Sequence, residues 1–157
     1  MSVDGSDHAP SVSASAAAAP SAAASAAAAE SGSFAFVNGA SYDGEFVTSE
    51  DGRRVRHGSG TYTEGKETYS GSWDGDAMSG EGVYAFATGA KYEGAFADNK
   101  FHGQGTYQWP DGASYTGAWA DSKMHGAGLY VDDEKVRWKG QFHNGKYYNG
   151  KSFVLLR

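Results

Sequence analysis

From residue 42 onward the chain alternates rings or glycines with small polar residues, and the alternation has the period of two that marks a strand. In Tyr69-x-Gly71-x-Trp73 and Gly80-x-Gly82-x-Tyr84-x-Phe86 the rings and glycines share one face. Ser70, Ser72, Glu81 and Val83 share the other. Short clusters such as Ala87-Thr-Gly-Ala90 and Pro110-Asp-Gly112 punctuate these runs and predict tight turns. The prediction is a succession of antiparallel hairpins.

A longer period lies over the shorter one. Strand openings read Tyr42-Asp-Gly-Glu-Phe46, Tyr69-Ser-Gly-Ser-Trp73, Tyr92-Glu-Gly-Ala-Phe96, Tyr115-Thr-Gly-Ala-Trp119 and Trp138-Lys-Gly-Gln-Phe142, spaced by 27, 23, 23 and 23 positions. Between them come His57-Gly-Ser-Gly60-Thr-Tyr62, Ser79-Gly-Glu-Gly82-Val-Tyr84, His102-Gly-Gln-Gly105-Thr-Tyr107 and His125-Gly-Ala-Gly128-Leu-Tyr130. A half-repeat over 34–41 precedes them, and residues 143–157 diverge as a closing strand. The expected fold is all-β: an elongated, single-layer antiparallel meander of about eleven strands over residues 32–157, roughly 50 Å long at ~4.8 Å per strand. A glycine recurring inside strands marks a close approach, here by a neighbouring ring, which lets one sheet pack its own face. Phe46 lies twelve residues before Gly58 where later repeats have seven, so Val47–Arg56 is expected to form an enlarged, charged loop.

Composition sharpens this picture. There are 23 Gly, 10 Tyr, 8 Phe and 4 Trp but no Ile, so the core must be built from rings. Absence of Cys excludes a disulfide framework, a Cys-based zinc site and a thiol nucleophile. Ser11–Ala29 is Ala and Ser with one Pro20, with no large apolar residue to offset the entropy of ordering; residues 1–31 are expected to be a flexible, disordered Ala/Ser-rich tail. That segment has neither the basic start and apolar core of a secretory signal nor the arginines of a transit peptide, which points to the cytoplasm or a cytoskeletal compartment.

The net charge of -6 is unevenly spread. Residues 1–41 hold Asp4, Asp7 and Glu30 without a base, whereas residues 135–157 hold Lys135, Arg137, Lys139, Lys146, Lys151 and Arg157 without an acid. Such an end is either a solvated cap or a patch for an acidic partner or anionic lipid. An acidic chain of this kind argues against nucleic acid as a partner. Gly145-Lys-Tyr-Tyr-Asn-Gly150-Lys151-Ser152 satisfies a phosphate-loop pattern, but only five residues follow where a helix is needed, so no nucleotide cofactor is expected. His57, His102 and His125 recur in register; strands two apart are ~10 Å distant, too far to share a metal, and they are read as turn residues. No nucleophile elbow or other catalytic arrangement occurs, so no enzymatic activity is expected.

The pattern Tyr-x-Gly-x-Trp/Phe followed by His/Ser-Gly-x-Gly-x-Tyr at a 23-residue spacing resembles the MORN-repeat family over residues 34–142, and most closely its short members made almost entirely of repeats. That resemblance implies a twisted, elongated scaffold of the kind found in cilia, flagellar axonemes, basal structures or beside membranes. Relatives that dimerise end to end or bind phosphoinositides belong to the same resemblance. It also implies that Tyr69, Trp73, Tyr92, Phe96, Tyr115 and Trp119, continued by Trp138 and Phe142, are groove residues, although for each ring taken alone plain core packing is the favoured reading. The leading expectation is a non-enzymatic adaptor gripping protein partners through its repeat surface, in an axoneme or other cytoskeletal assembly. The alternative is a peripheral membrane module whose basic end meets anionic phospholipid. An unpaired edge at each end leaves homo-oligomers open.

Overall fold

The computed structural model describes residues 28–156. Twelve strands follow one another: β1 (Glu30–Ala35), β2 (Ser41–Thr48), β3 (Arg54–Glu64), β4 (Glu67–Asp74), β5 (Ala77–Ala85), β6 (Lys91–Ala97), β7 (Lys100–Gln108), β8 (Ser114–Ala120), β9 (Lys123–Val131), β10 (Arg137–His143), β11 (Lys146–Tyr148) and β12 (Phe153–Val154). They form one sheet in which spatial order equals chain order, every pairing antiparallel. The tail residues 1–27 lie outside the described residues.

From β4 onward two kinds of turn alternate. Within a repeat the hairpin closes through two residues of positive φ, as in Gly75–Asp76 (56° and 68°) and Asp98–Asn99 (48° and 64°), the type I′ geometry that matches strand twist. Asp, Asn and Ser tolerate this region because their short polar side chains bond locally. Those bonds also tie each repeat to the one before: Asn99 donates its N–H to the Met78 carbonyl at 3.2 Å while its side-chain oxygen accepts the Met78 N–H at 2.8 Å. Between repeats the loop is a type I turn ending in a residue of positive φ, Gly89, Gly112 or Lys135, as where Phe86 N–H donates to Ala90 O at 2.9 Å and Gly89 N–H to Phe86 O at 3.0 Å.

The β2–β3, β4–β5, β6–β7 and β8–β9 hairpins are each irregular at one place. The step from Gly94 to Phe96 on β6 spans Phe101 to Gly105 on β7, a bulge centred on Gly103, whose φ of 82° an L side chain rarely adopts. Above it, Tyr92 reaches across Gly105 and donates its hydroxyl to the Ala95 carbonyl at 2.8 Å. Tyr69 and Tyr115 make the same bond to Ser72 and Ala118 at 2.8 and 2.9 Å. A Cβ on Gly105 would sit 2.5 Å from the Tyr92 Cζ, so the bare glycine is what lets the ring lie down.

The rings then pack into one continuous row. Tyr69 meets Trp73 of its own strand at 5.0 Å and Phe96 of the next repeat at 4.9 Å; Tyr92 meets Phe96 at 5.0 Å and Trp119 at 5.5 Å, all edge-to-face. Tyr92 also stacks flat on Phe101 at 3.8 Å. A single layer therefore carries a dry core on one face.

Three expectations need correction. The sheet has twelve strands because the closing segment reverses at Asn149–Ser152, where Asn149 Oδ1 accepts the N–H groups of Lys151 and Ser152 at 3.0 Å each, splitting it into β11 and β12. Val47–Arg56 is not an enlarged loop: β2 and β3 simply run on, pairing Val47 with Val55 and Thr48 with Arg54, and only Ser49–Arg53 turn. Both valines are buried, so the extra residues lengthen a hairpin. Finally, His57, His102 and His125 lie inside β3, β7 and β9 rather than in turns, because the bulge glycine after each lets the strand continue past it.

Candidate functional site

Seven of the eight rings expected to line a groove are core. Tyr69, Trp73, Tyr92, Phe96, Tyr115, Trp119 and Phe142 are each no more than 4 % exposed, and only Trp138 is half-buried. The physical reason is the glycine beneath each opening tyrosine: with no Cβ in the way, rings of neighbouring strands collapse onto one another.

The opposite face carries a second row. Strand register aligns Ser33, Asp43, Thr61, Ser70, Val83, Glu93, Thr106, Thr116, Leu129 and Lys139 across ten strands. These side chains are short and mostly polar, and they bond along the row: Ser33 Oγ to Asp43 Oδ1 at 2.9 Å, Thr61 Oγ1 to Ser70 Oγ at 3.1 Å, Thr106 with Thr116 at 3.0 Å. The row is rich in hydroxyls, with Asp43 near one end, Glu93 midway and Lys139 at the other end.

The basic residues cluster as expected by position. Lys135, Arg137, Lys139, Lys146 and Lys151 are all exposed on β10, β11 and their flanking turns, and Lys135 Nζ donates to the Gly112 carbonyl at 3.2 Å. The phosphate-loop pattern, by contrast, is used up locally: its Lys151 and Ser152 amides are already bonded to Asn149, and β12 follows. The recurrent histidines do not converge. His57 Nδ1 lies 3.7 Å from Asp74 Oδ1, and the His125 ring lies 4.9 Å from His143. Among the described residues no group of three or more His, Cys, Asp or Glu is placed to hold a metal ion.

Arg56 was the residue that sequence reasoning missed. It is the sole buried charged residue among those described, 3 % exposed, its guanidinium 4.3 Å from the Trp73 ring centroid, 5.1 Å from Tyr62 and 5.5 Å from Phe36. Nε bonds to Asp76 Oδ1 at 3.1 Å and Nη2 to the Asp76 carbonyl at 3.2 Å. The signal was present: Arg56-His57-Gly58 aligns with Phe101-His102-Gly103 and Met124-His125-Gly126, so arginine occupies a core position of the repeat.

Burial also marks the tyrosines. Desolvation pushes Tyr42 from the ordinary 10.0 up to about 12 and holds Tyr69, Tyr92 and Tyr115 further above their usual value. A raised folded-state value means that the neutral phenol favours the fold; that stabilisation is complete below pH 10 and is lost as pH climbs through about 12. An alkaline titration is expected to show these phenolates appearing late and together with loss of near-ultraviolet circular dichroism. Smooth ionisation near 10 with the dichroism intact would contradict the burial.

Geometry thus defines a repeat protein: hairpins of one plan, stacked edge to edge, each burying its rings against its neighbours. The MORN repeat model matches residues 55–63, 69–91, 92–114 and 115–133, and the chain belongs to the MORN-repeat family. No curated protein matches it.

Proposed function

We propose that this chain is a non-enzymatic scaffold that holds protein partners on the hydroxyl-rich face of its sheet, within a cytoskeletal assembly such as an axoneme. The observation that carries the reading is the division of labour between the faces: the rings form a self-packed core, leaving the ten-strand row from Ser33 to Lys139 as the broad surface open to a partner. A continuous twisted sheet of this kind offers many weak polar contacts along a line, which suits an extended partner more than a small molecule. Membership of a family of repeat proteins that are generally non-enzymatic supports it. Detergent extraction of ciliated or flagellated cells expressing the tagged protein tests the placement. Retention with the cytoskeleton through high salt is the expected result, and full release into the soluble fraction would overturn it.

A second reading rests on the five exposed bases at the β10–β12 end, with no acid after Glu134. Each base near an anionic surface contributes about 1 kcal/mol, enough together for reversible membrane binding. This reading expects salt-sensitive binding to phosphatidylserine vesicles that disappears in the Lys139→Glu, Lys146→Glu, Lys151→Glu variant. Unchanged binding by that variant removes it.

A further inference from the structure

Each end of the sheet carries part of a repeat, and the two parts are complementary. In β5, β7 and β9 the strand facing an opening has nine residues. Its first three set a core side chain beside the opening's last ring, as Phe101 pairs with Phe96 and Met124 with Trp119. Its last six begin at the bulge glycine and set a glycine and a ring against the opening's glycine and first ring, as Gly105 pairs with Gly94 and Tyr107 with Tyr92.

β11 has three residues, and it places Tyr147 against Phe142 and Lys146 against His143 in the register that Phe101 and Lys100 use. The chain then turns away at Asn149, so the upper part of β10, Arg137–Gln141, has no strand on its outer side. In its place stands the Tyr147 side chain, whose hydroxyl donates to the Lys139 carbonyl at 3.3 Å. β1 has six residues, and it sets Gly32 against Gly44 and Phe34 against Tyr42, as Gly105 and Tyr107 sit against Gly117 and Tyr115 on β8. Residues 1–29 contain no Phe, Tyr or Trp. β11 is the first third of a second element, and β1 is the remainder.

We propose that the protein associates with itself head to tail, β1 of one copy adding to the uncovered edge of β10 in the next, in line with β11, and completing the repeat that begins at Trp138. Since all pairings are antiparallel, odd and even strands run in opposite directions, so β1 meets β10 in the sense the ladder requires. Gly32 then faces Gly140, Phe34 faces Trp138 and Ser33 faces Lys139. The core rings at both ends are left unfinished in the single chain: Trp138 and Phe34 are half-buried, whereas their counterparts Tyr69, Tyr92, Tyr84 and Tyr107 are at most 1 % exposed. Charge agrees as well. β1 and β2 carry Glu30, Asp43 and Glu45 without a base, while β9, β10 and β11 carry Lys123, Arg137, Lys139 and Lys146 without an acid. To admit β1, Tyr147 releases the Lys139 carbonyl and the Asn149–Ser152 turn swings aside with β12, which two residue pairs and the packing of Leu156 hold; exposed Tyr148, Phe153 and Leu155 then cover the joint. An interface between two different edges leaves a free β1 and a free β10 edge after each addition, so growth continues past a dimer, as a twisted filament wherever the rotation per copy does not close a ring.

Sedimentation velocity of the full chain over a range of concentrations tests this. The mass is expected to grow with concentration beyond a dimer. Gly32→Ala is expected to melt where the wild type does, because a Cβ there meets only the Phe46 ring at 3.4 Å, an ordinary contact. It should nevertheless stop the growth, since in the joint the Trp138 ring lies over Gly32 as Tyr92 lies over Gly105. Ser33→Lys, an exposed change beside Asp43, is expected to weaken association about tenfold by facing Lys139, and adding Lys139→Glu to it should restore association. A monomer at every concentration overturns the proposal. So does a saturating dimer that ignores Gly32→Ala, which would mean a symmetric contact elsewhere.

Discussion

Alanine in place of Gly94 is expected to destabilise the fold by about 3 kcal/mol or more, a large share of a typical domain's stability of about 5–15 kcal/mol. Its Cβ would lie 2.5 Å from the Gln104 carbonyl oxygen and against the Gly105 Cα, atoms of the paired backbone that cannot rotate away. Relief would require β6 and β7 to separate at the bulge, which breaks the ladder on both sides and lifts Tyr92 off Phe101. The backbone there also has φ of 154°, at the margin of what an L residue adopts. Urea unfolding followed by tryptophan fluorescence reads the loss as a lower midpoint at constant slope. Gly32→Ala, with no such clash, is the internal control, and equal loss in both variants would mean that close approach is not what the repeated glycine provides.

The second large effect is an asymmetry between two partners. Asp76→Ala is expected to cost about 3 kcal/mol, because it leaves the Arg56 guanidinium buried without its carboxylate and removes the acceptor of the Arg56 N–H at 2.8 Å. Arg56→Met is expected to be neutral or stabilising. Methionine is what this register already holds at Met78 and Met124, and exchanging a buried charge for an apolar side chain of similar length removes a desolvation cost. Asp76 keeps its bond to the backbone N–H of residue 56 in that variant. Thermal melts of the two single variants and the double separate these cases; a loss of similar size in Arg56→Met would show that the rings Phe36, Tyr62 and Trp73 need the cation.

These two sites show why some of the fold was readable and some was not. Gly94 belongs to a pattern repeated at a fixed spacing, and period-two alternation is a local property that each strand writes out for itself. Arg56 sits in a stretch, Asp51-Gly-Arg-Arg-Val-Arg56, whose charge reads as solvent-exposed. Only pairing of Val47 with Val55, and a turn twenty residues further on supplying Asp76, turns that stretch inward. The eight rings expected as groove residues pose the same problem, since a ring on the correct face is lining or core according to how closely the next strand's rings lie over it.

By itself the sequence determined the order of hairpins, the repeat boundaries, the face on which rings and glycines gather, and the basic character of one end, because each of these follows from spacing along the chain. Tertiary structure decided which surface remains open, that Arg56 is enclosed, and that the strand fragments at the two ends, six and three residues long, are complementary parts of one nine-residue element. Those properties depend on twist, bulge and register between strands. They arise only when the whole sheet is assembled, since burial is set by neighbours that lie one repeat away.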